Sequence, residues 1–252
     1  MLTPVPEGRR RARGVGRMSF LRRVARQAES LGSAVRYLPI YNRFRQYTMI
    51  SRRVYVANLL AAAEVADIPG CIVECGVWRG GMMAGLASVL GPDRMYYLFD
   101  SFEGLPPARE IDGPRALRWQ ADKESDTYHN NCAAEQKHAE KAMRMSGARR
   151  FQCIKGWFEN TLPAFTPEAP IALLRIDADW YDSVLCCLEN LCRHLAPGGI
   201  VQIDDYYRWD GCARAVHKFL ADQQSAARIH MPYPKLAVIR GLGRPGGTGA
   251  SA

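Results

Sequence analysis

The fold of this chain is decided by the stretch Ile171-Ala172-Leu173-Leu174-Arg175-Ile176-Asp177-Ala178-Asp179, followed after a helix-length segment by Gly198-Gly199-Ile200-Val201-Gln202-Ile203-Asp204-Asp205. Each run is rich in Ile, Leu and Val and is bounded by Pro or Gly, which is typical of a buried strand. Two such strands joined by a helix are expected to be parallel neighbours, with their carboxyl ends at one edge of the sheet. Open α/β sheets bind ligands at that edge, so the acids that end these runs are candidate site residues.

The acidic residues at this edge favour a metal site. Unpaired carboxylates at close range would repel one another and raise each other's pKa, and a hard divalent cation removes that cost. A set of oxygen ligands suits Mg²⁺ better than zinc. Asp204 and Asp205 can reach one ion only if the backbone turns there, because successive strand residues point to opposite faces. A solvated turn or a helix N-cap is the alternative explanation for this pair.

A glycine-rich turn follows an earlier predicted strand, in the segment Cys71-Ile72-Val73-Glu74-Cys75-Gly76-Val77-Trp78-Arg79-Gly80-Gly81. Glycines at such a turn let the backbone approach a ligand closely. The segment is not the dinucleotide fingerprint, which needs a glycine where Trp78 stands. Glu74 precedes the first glycine of the turn by two, and Asp100 ends the next strand, where a ribose is held by its hydroxyls. Either acid alone could be a turn or loop residue, but together they favour a nucleoside site.

Five motifs follow one another along the chain. They are Val73-Glu74-Cys75-Gly76-Val77-Trp78-Arg79-Gly80-Gly81; Asp100-Ser101-Phe102-Glu103-Gly104-Leu105-Pro106; Lys155-Gly156-Trp157-Phe158 with Thr161-Leu162-Pro163; Leu174-Arg175-Ile176-Asp177-Ala178-Asp179-Trp180-Tyr181-Asp182-Ser183; and Pro197-Gly198-Gly199 with Asp204-Asp205-Tyr206. In this order they resemble the macrocin O-methyltransferase (TylF/MycF) family. The similarity runs from about Tyr47 to Arg240, which is most of the chain.

The resemblance implies a class I enzyme that uses S-adenosylmethionine and Mg²⁺ to methylate a hydroxyl on a sugar or other small natural-product acceptor. It implies that Asp177, Asp204 and Asp205 ligate Mg²⁺, and that Asp179 is the base. Catalysis would thus involve Asp179 directly and Asp177 through the metal. It also implies that the cofactor is bound at Thr48, Met49, Glu74, Gly76, Asp100, Ser101, Gly156, Trp157 and Phe158. The acceptor pocket carries no recognisable motif.

The remaining segments complete a class I methyltransferase-type α/β fold. We expect a doubly wound sheet of seven strands, mostly parallel with the last strand antiparallel, and helices on both faces. The expected strands are 71–77, 95–100, 151–156, 171–177, 199–204, 228–231 and 235–240. The expected helices are 51–67, 82–90, 130–146, 182–195 and 212–224.

The segment 103–129 is long, polar and poorly periodic, and loops of this kind in compact domains are usually functional. We interpret it as a lid over the acceptor, with Trp119, Tyr128 and His129 as candidate contacts. A disordered surface insertion is the alternative.

The positive charge is concentrated at the start of the chain. Residues 1–26 carry eight arginines against one acid, Glu7, and so contribute +7 of the net charge of +9. A basic arm on an almost neutral body does not favour nucleic acid as a partner. The spacing from Phe20 to Val35 predicts an amphipathic helix that packs on its own domain or across a dimer, or else lies on an acidic membrane surface. Met18 is an alternative start.

These observations predict a basic arm at residues 1–36, a methyltransferase domain at 37–240 and a flexible tail at 241–252. The eight cysteines form no CxxC pair and nothing resembles a secretory signal, which favours a reducing cytoplasm. No apolar stretch reaches the roughly 18 residues of a membrane span. Three alternatives stay open: a metal-dependent glycosyltransferase using Asp177-Ala178-Asp179 as a D-x-D site, an RNA methyltransferase, and a non-catalytic protein that binds S-adenosylmethionine.

Overall fold

The computed structural model describes residues 35–233 and 235–242, which form a sheet of seven strands. The strands are β1 Cys71–Cys75, β2 Met95–Asp100, β3 Arg150–Lys155, β4 Ile171–Ile176, β5 Leu195–Ile203, β6 Arg228–Tyr233 and β7 Leu236–Arg240. Their order is β3-β2-β1-β4-β5-β7-β6, and β7 runs antiparallel to both of its neighbours. The other neighbouring pairs are parallel. The predicted α/β class, the seven strands and the antiparallel last strand are therefore confirmed.

Helices cover both faces of this sheet. They are α1 at residues 35–44, α2 Arg52–Ala63, α3 Gly81–Leu90, α4 Pro114–Ala121, α5 Gln136–Ser146, α6 Phe158–Thr161, α7 Tyr181–Leu191 and α8 Asp210–Asp222. Helices α2, α3 and α5 contribute to the hydrophobic core on one face, and α7 and α8 to the core on the other. Across the described ranges, no helix combines the length and the hydropathy that crossing a membrane requires.

The central strands β1 and β4 place the acids at one edge of the sheet. Every residue of both strands is buried, because helices cover both faces, and this is why both read as continuous apolar runs. Their register pairs Glu74 with Arg175, and Ile176 at the end of β4 pairs with Ile203 at the end of β5. The residues that follow these two strands therefore begin at the same level.

Gly76, directly after β1, is required by the close approach of two chain segments. Its φ is +85°, and a Cβ at this position would overlap the carbonyl oxygen of Asp177. No side chain fits there without moving the turn that follows β4. The glycine in this motif thus brings the end of β1 against the acid that ends β4.

The segment 103–129 differs from the expected loop. It contains a short 3-10 turn at Glu110–Asp112 and the helix α4, and it is followed by a second 3-10 turn at His129–Cys132. Gly113 is the N-cap of α4, and Pro114 is the first residue of the helix, a position that favours proline. The segment that we interpret as a lid loop therefore carries helical structure of its own. The helix expected at 130–146 begins only at Gln136, because residues 129–132 have positive φ values.

The predicted domain boundaries remain predictions. The basic arm at residues 1–36 and the tail at 241–252 lie outside the described residues, except for residues 35, 36, 241 and 242. The same holds for the helix expected from Phe20 and for the alternative start at Met18.

Candidate active site

A first cavity opens at the carboxyl edge of the sheet, between the ends of β1, β2 and β4. It encloses ≈ 620 Å³ of empty space, its open mouth included. Seven of the residues predicted to bind a cofactor line it: Met49, Gly76, Asp100, Ser101, Gly156, Trp157 and Phe158. The structure therefore brings together residues from four separate segments of the chain.

Asp100 organises the glycine-rich turn above this cavity. One carboxylate oxygen accepts hydrogen bonds from the backbone N–H groups of Val77 and Trp78, each at 2.8 Å, and the other accepts from Phe102 at 2.7 Å. Burial raises the pKa of Asp100, although these three hydrogen bonds favour its ionised form. A carboxylate offers about four acceptor directions, so one direction stays free for a hydroxyl.

The first cavity fits a nucleoside cofactor on two further observations. Trp78 lines it, and the indole Nε1 of Trp78 is a buried donor without a partner among the described residues. Gly156 has a φ of +144°, so the backbone before Trp157 adopts a conformation that a side chain would oppose. A nucleoside has a flat base and ribose hydroxyls. These groups would supply the hydrogen-bond partners that this cavity lacks.

We expect Asp100→Ala to weaken S-adenosylhomocysteine binding by about 10- to 100-fold, the scale of one or two hydrogen bonds to a charged group. Calorimetric titration measures this loss, and a melting curve without ligand checks that the turn still folds. Asp93→Ala is the matched control, because Asp93 is exposed and pairs with Arg149 at the surface. Unchanged affinity in Asp100→Ala would show that Asp100 makes no ribose contact.

Two predicted cofactor residues do not line the first cavity. The hydroxyl of Thr48 accepts a hydrogen bond from the backbone of Ile50 at 3.2 Å and shapes the turn that carries Met49. The carboxylate of Glu74 is fully buried beneath the cavity and lies 2.6 Å from Arg175. The register between β1 and β4 places Glu74 beside Arg175, so a role of Glu74 at the cofactor stays a prediction.

Arg175 is the centre of a buried polar network that no sequence motif predicts. Its guanidinium contacts Asp177 at 2.9 Å and Asp204 at 2.7 Å, in addition to Glu74, and it donates to the Asn58 side chain at 3.2 Å. Arg175 itself is completely buried. The available signal was a lone arginine inside the apolar run of β4, since a buried charge requires partners.

We expect Arg175→Met to destabilise the protein by about 3 kcal/mol in metal-free buffer, because the substitution leaves buried carboxylates without their cation. Urea unfolding measures the loss. Arg150→Met is the control: Arg150 makes an ion pair with Glu168 on the exposed edge of the sheet, and such pairs contribute about 1 kcal/mol or less. Equal destabilisation by the two substitutions would contradict a structural role for the network.

Three carboxylates meet where β4 and β5 end. Asp177, Asp179 and Asp205 each offer an oxygen atom, and these atoms lie within 4.8 Å of one another. Asp204 was predicted in this set, but its carboxylate points to Arg175 and Asn58. Asp179, predicted as the base, takes its place beside the other two. Asp179 has a φ of +54°, a left-handed conformation that is uncommon for residues other than glycine.

The protonation of these acids reflects their crowding. Burial, and then the charge of Asp177, raises the pKa of Asp179 to about 7. Burial, followed by the charges of Asp179 and Asp177, also raises the pKa of Asp205. One oxygen of Asp205 is buried without a hydrogen-bond partner among the described residues. An unpartnered carboxylate oxygen among other carboxylates fits a hard divalent cation such as Mg²⁺.

A second and wider cavity lies on the other side of the acids. It encloses ≈ 1400 Å³ of empty space, its mouth included, and Asp177, Asp179, Asp204 and Asp205 all line it. Met49, Cys132, Asp177 and Asp179 line both cavities. The two cavities therefore meet at the acids.

Part of the segment 103–129, which we interpret as a lid, lines this second cavity. Trp119 and His129 line it, whereas Tyr128 packs against Trp119 with ring centroids 5.5 Å apart. Trp119 also contacts Trp180 and Trp209, so the lid is held by an aromatic cluster.

The turn His129–Cys132 is left-handed at four successive residues, with φ values between +44° and +62°. Such backbone is costly for residues other than glycine and persists only where its surroundings hold it. Asn131 holds it here: its side chain donates to the carbonyl of Leu105 at 2.7 Å and accepts from Gln120 at 3.0 Å. Cys132 is thereby placed beside the acids, a position that no sequence motif indicates.

The chain matches the family model described as macrocin O-methyltransferase (TylF) over residues 23–233. The 8-demethyl-8-(2,3-dimethoxy-alpha-L-rhamnosyl)-tetracenomycin-C 4'-O-methyltransferase of Streptomyces olivaceus is 38% identical over 185 residues, 69% of this chain and 67% of that protein. The mycinamicin III 3''-O-methyltransferase of Micromonospora griseorubida is 30% identical over 182 residues, 69% of this chain and 70% of that protein.

Solved structures show the same architecture. The structure of the O-methyltransferase NovP superimposes with a TM-score of 0.65 at 27% identity, covering 77% of this chain and 81% of that chain. The calicheamicin methyltransferase CalS11 superimposes with a TM-score of 0.59 at 23% identity, covering 84% of this chain and 92% of that chain.

Proposed function

Because the chain belongs to the macrocin O-methyltransferase (TylF) family, we propose that it transfers a methyl group from S-adenosylmethionine to a sugar hydroxyl of a small natural product, with the assistance of Mg²⁺. Family membership makes the chain a methyltransferase, so Asp177-Ala178-Asp179 is not the D-x-D site of a glycosyltransferase. The observation that carries the proposal is that Asp177 and Asp179 line both cavities. A donor in one cavity and an acceptor in the other would meet at these acids.

The first cavity is assigned to the cofactor. Asp100 would accept a hydrogen bond from a ribose hydroxyl, and Trp157 and Phe158 would flank the adenine. Met49 lines both cavities and Gly76 lies against the backbone of Asp177, so the methionine end would lie there. Thr48 and Glu74 would act from outside the cavity, Thr48 by shaping its turn and Glu74 by holding Arg175. The bound cofactor supplies a methyl group on a positively charged sulfur.

The acids at the junction are assigned to the acceptor. Asp177 and Asp205, with Asp204 or Asp179, would hold Mg²⁺, whose charge lowers the pKa of an acceptor hydroxyl. Asp179 would accept the hydroxyl proton on a carboxylate oxygen. Without metal the pKa of Asp179 is about 7, and a bound cation would favour the ionised form that accepts a proton. Trp209 Nε1 donates to Oδ1 of Asp179 at 2.7 Å and so fixes the orientation of the carboxylate.

The location and partners of the enzyme are proposals of the same kind. All eight cysteines are free thiols in the structure, which supports a reducing cytoplasm. The partners would be the cofactor, the metal and a small hydroxyl-bearing acceptor, with no nucleic acid. A homo-oligomer and a peripheral membrane contact of the arm remain predictions.

Calorimetry provides a direct test. We expect S-adenosylmethionine to bind with 1:1 stoichiometry and to be converted to S-adenosylhomocysteine when a glycosylated acceptor and Mg²⁺ are added. EDTA should stop conversion while cofactor binding persists. Conversion at full rate in metal-free buffer would refute the metal-assisted mechanism, and failure to bind S-adenosylmethionine would refute the proposed function.

A further inference from the structure

Three cationic side chains from separate elements line the second cavity. Arg115 lies on α4 in the lid, Arg208 lies in the loop after β5, and Lys235 lies in the turn between β6 and β7. Among residues 35–233 and 235–242, no carboxylate lies within ion-pair distance of any of the three. Arg175, by contrast, is fully engaged by three acids. The cavity therefore combines an acidic floor with three cations that form no ion pair among the described residues, and the charge of Arg208 also acts on Asp179.

The two arginines are held close to one another. The guanidinium carbon of Arg208 lies 4.7 Å from the ring centroid of Trp209, and that of Arg115 lies 5.3 Å from the same ring. Arg115 also donates to the backbone carbonyl of Arg208 at 3.3 Å. The two like charges at this indole repel each other, and an anion bound near both would offset the repulsion. Stacking and the backbone contact hold them in place before any ligand arrives.

The geometry points to an acceptor that carries a phosphate or diphosphate group on its sugar, and we propose that Arg115, Arg208 and Lys235 bind that group. This inference rests on the proposed function, since it assumes that the acids bind the sugar hydroxyls. Guanidinium groups match phosphate oxygens with paired hydrogen bonds, and three positive charges suit a group with two or more negative charges.

The size and lining of the cavity agree with a substituted sugar. Its volume of ≈ 510 Å³ lies within the range of roughly 300 to 1,000 Å³ that is typical of small-ligand sites. Tyr207 also lines the cavity and is 45% exposed, which offers an aromatic face next to Arg208. A nucleoside diphosphate sugar would use all three regions: sugar hydroxyls at the acids, diphosphate at the cations and base on Tyr207.

The test compares three ligands by calorimetry, with saturating S-adenosylhomocysteine and constant free Mg²⁺. They are a nucleoside diphosphate hexose, the hexose 1-phosphate and the uncharged methyl glycoside. We expect the two phosphorylated ligands to bind about 10- to 100-fold more tightly than the glycoside. If the base contributes through Tyr207, the nucleotide sugar binds more tightly than the hexose 1-phosphate, and equal affinity assigns the site to the phosphate alone.

The variant Arg115→Gln/Arg208→Gln should remove this preference without changing affinity for S-adenosylhomocysteine. Arg118→Gln is the matched control, because Arg118 lies on the same helix but does not line the cavity. Tighter binding of the glycoside, or a preference that survives in the double variant, would overturn the inference alone. If none of the sugars binds while cofactor and Mg²⁺ bind normally, both the inference and the proposed acceptor class fail.

Discussion

Asp177→Asn should lose Mg²⁺ binding and methyl transfer together. Asp177 lines both cavities, belongs to the group of three acids and accepts a hydrogen bond from Arg175. Asparagine keeps the shape of the side chain but removes the negative charge that a hard cation needs. Substitution of a residue behind a ligand typically weakens metal binding by about 10- to 100-fold, so loss of a direct ligand should exceed that. Calorimetry with Mg²⁺ measures the affinity, and excess Mg²⁺ should restore part of the activity.

Asp182→Asn is the control for this substitution. Asp182 lies five residues further along the chain, is 61% exposed and pairs with Arg109 on the surface. Its replacement should leave Mg²⁺ affinity unchanged.

Asp204→Asn then separates two possible ligand sets. A loss equal to that of Asp177→Asn would mean that Asp204 turns from Arg175 to the metal, whereas a small loss would leave Asp204 as a support for Arg175. Retention of Mg²⁺ affinity by Asp177→Asn itself would refute the site.

The sheet could be predicted from the sequence because its strands are marked locally. β1 and β4 are short apolar runs that end at glycine or aspartate, and every residue in them is buried. The paired strands at the end of the chain are marked by Pro232 and Pro234, although β6 continues through Pro232 to Tyr233. The ends of the elements were predicted less accurately than the elements themselves. The helix expected to run to residue 67 ends at Ala63. Residues 64–67 form turns instead, and no local sequence signal separates such turns from a last helical turn.

The site could be predicted only in part, because contacts between distant residues decide its details. Asp177 and Asp205 meet because their strands end at the same edge of the sheet, and this could be predicted. Asp204 and Glu74 contact Arg175 because of the register of three strands and the burial of the Arg175 guanidinium, and this could not. The position of Cys132 depends on a left-handed turn that residues over 10 positions away hold in place. The sequence contains these residues but not their pairing.

Asp179→Asn should depress turnover by about 10²- to 10⁴-fold, the usual contribution of a general base. Asparagine retains an oxygen that can accept from Trp209, so the local shape should persist. In the unsubstituted enzyme, Asp179 must be ionised to accept a proton, and its pKa is about 7 without metal. The rate should therefore fall as pH decreases, with a midpoint below 7 when Mg²⁺ favours the ionised form. The variant should lack this step, and its residual rate should rise with pH as hydroxide takes the proton.

The Mg²⁺ affinity of the same variant decides what Asp179 does. A carboxylate oxygen of Asp179 lies within 4.8 Å of oxygens of Asp177 and Asp205. This metal-free geometry allows Asp179 to be a metal ligand as well as a base. If Asp179 is only the base, calorimetry should give nearly the same Mg²⁺ affinity for the variant as for the unsubstituted enzyme, and only turnover should fall. If affinity falls as far as in Asp177→Asn, Asp179 is a ligand and the proton must leave by another route. Turnover that is undiminished in Asp179→Asn would exclude both roles, since neither a missing base nor a missing ligand could leave the rate unchanged.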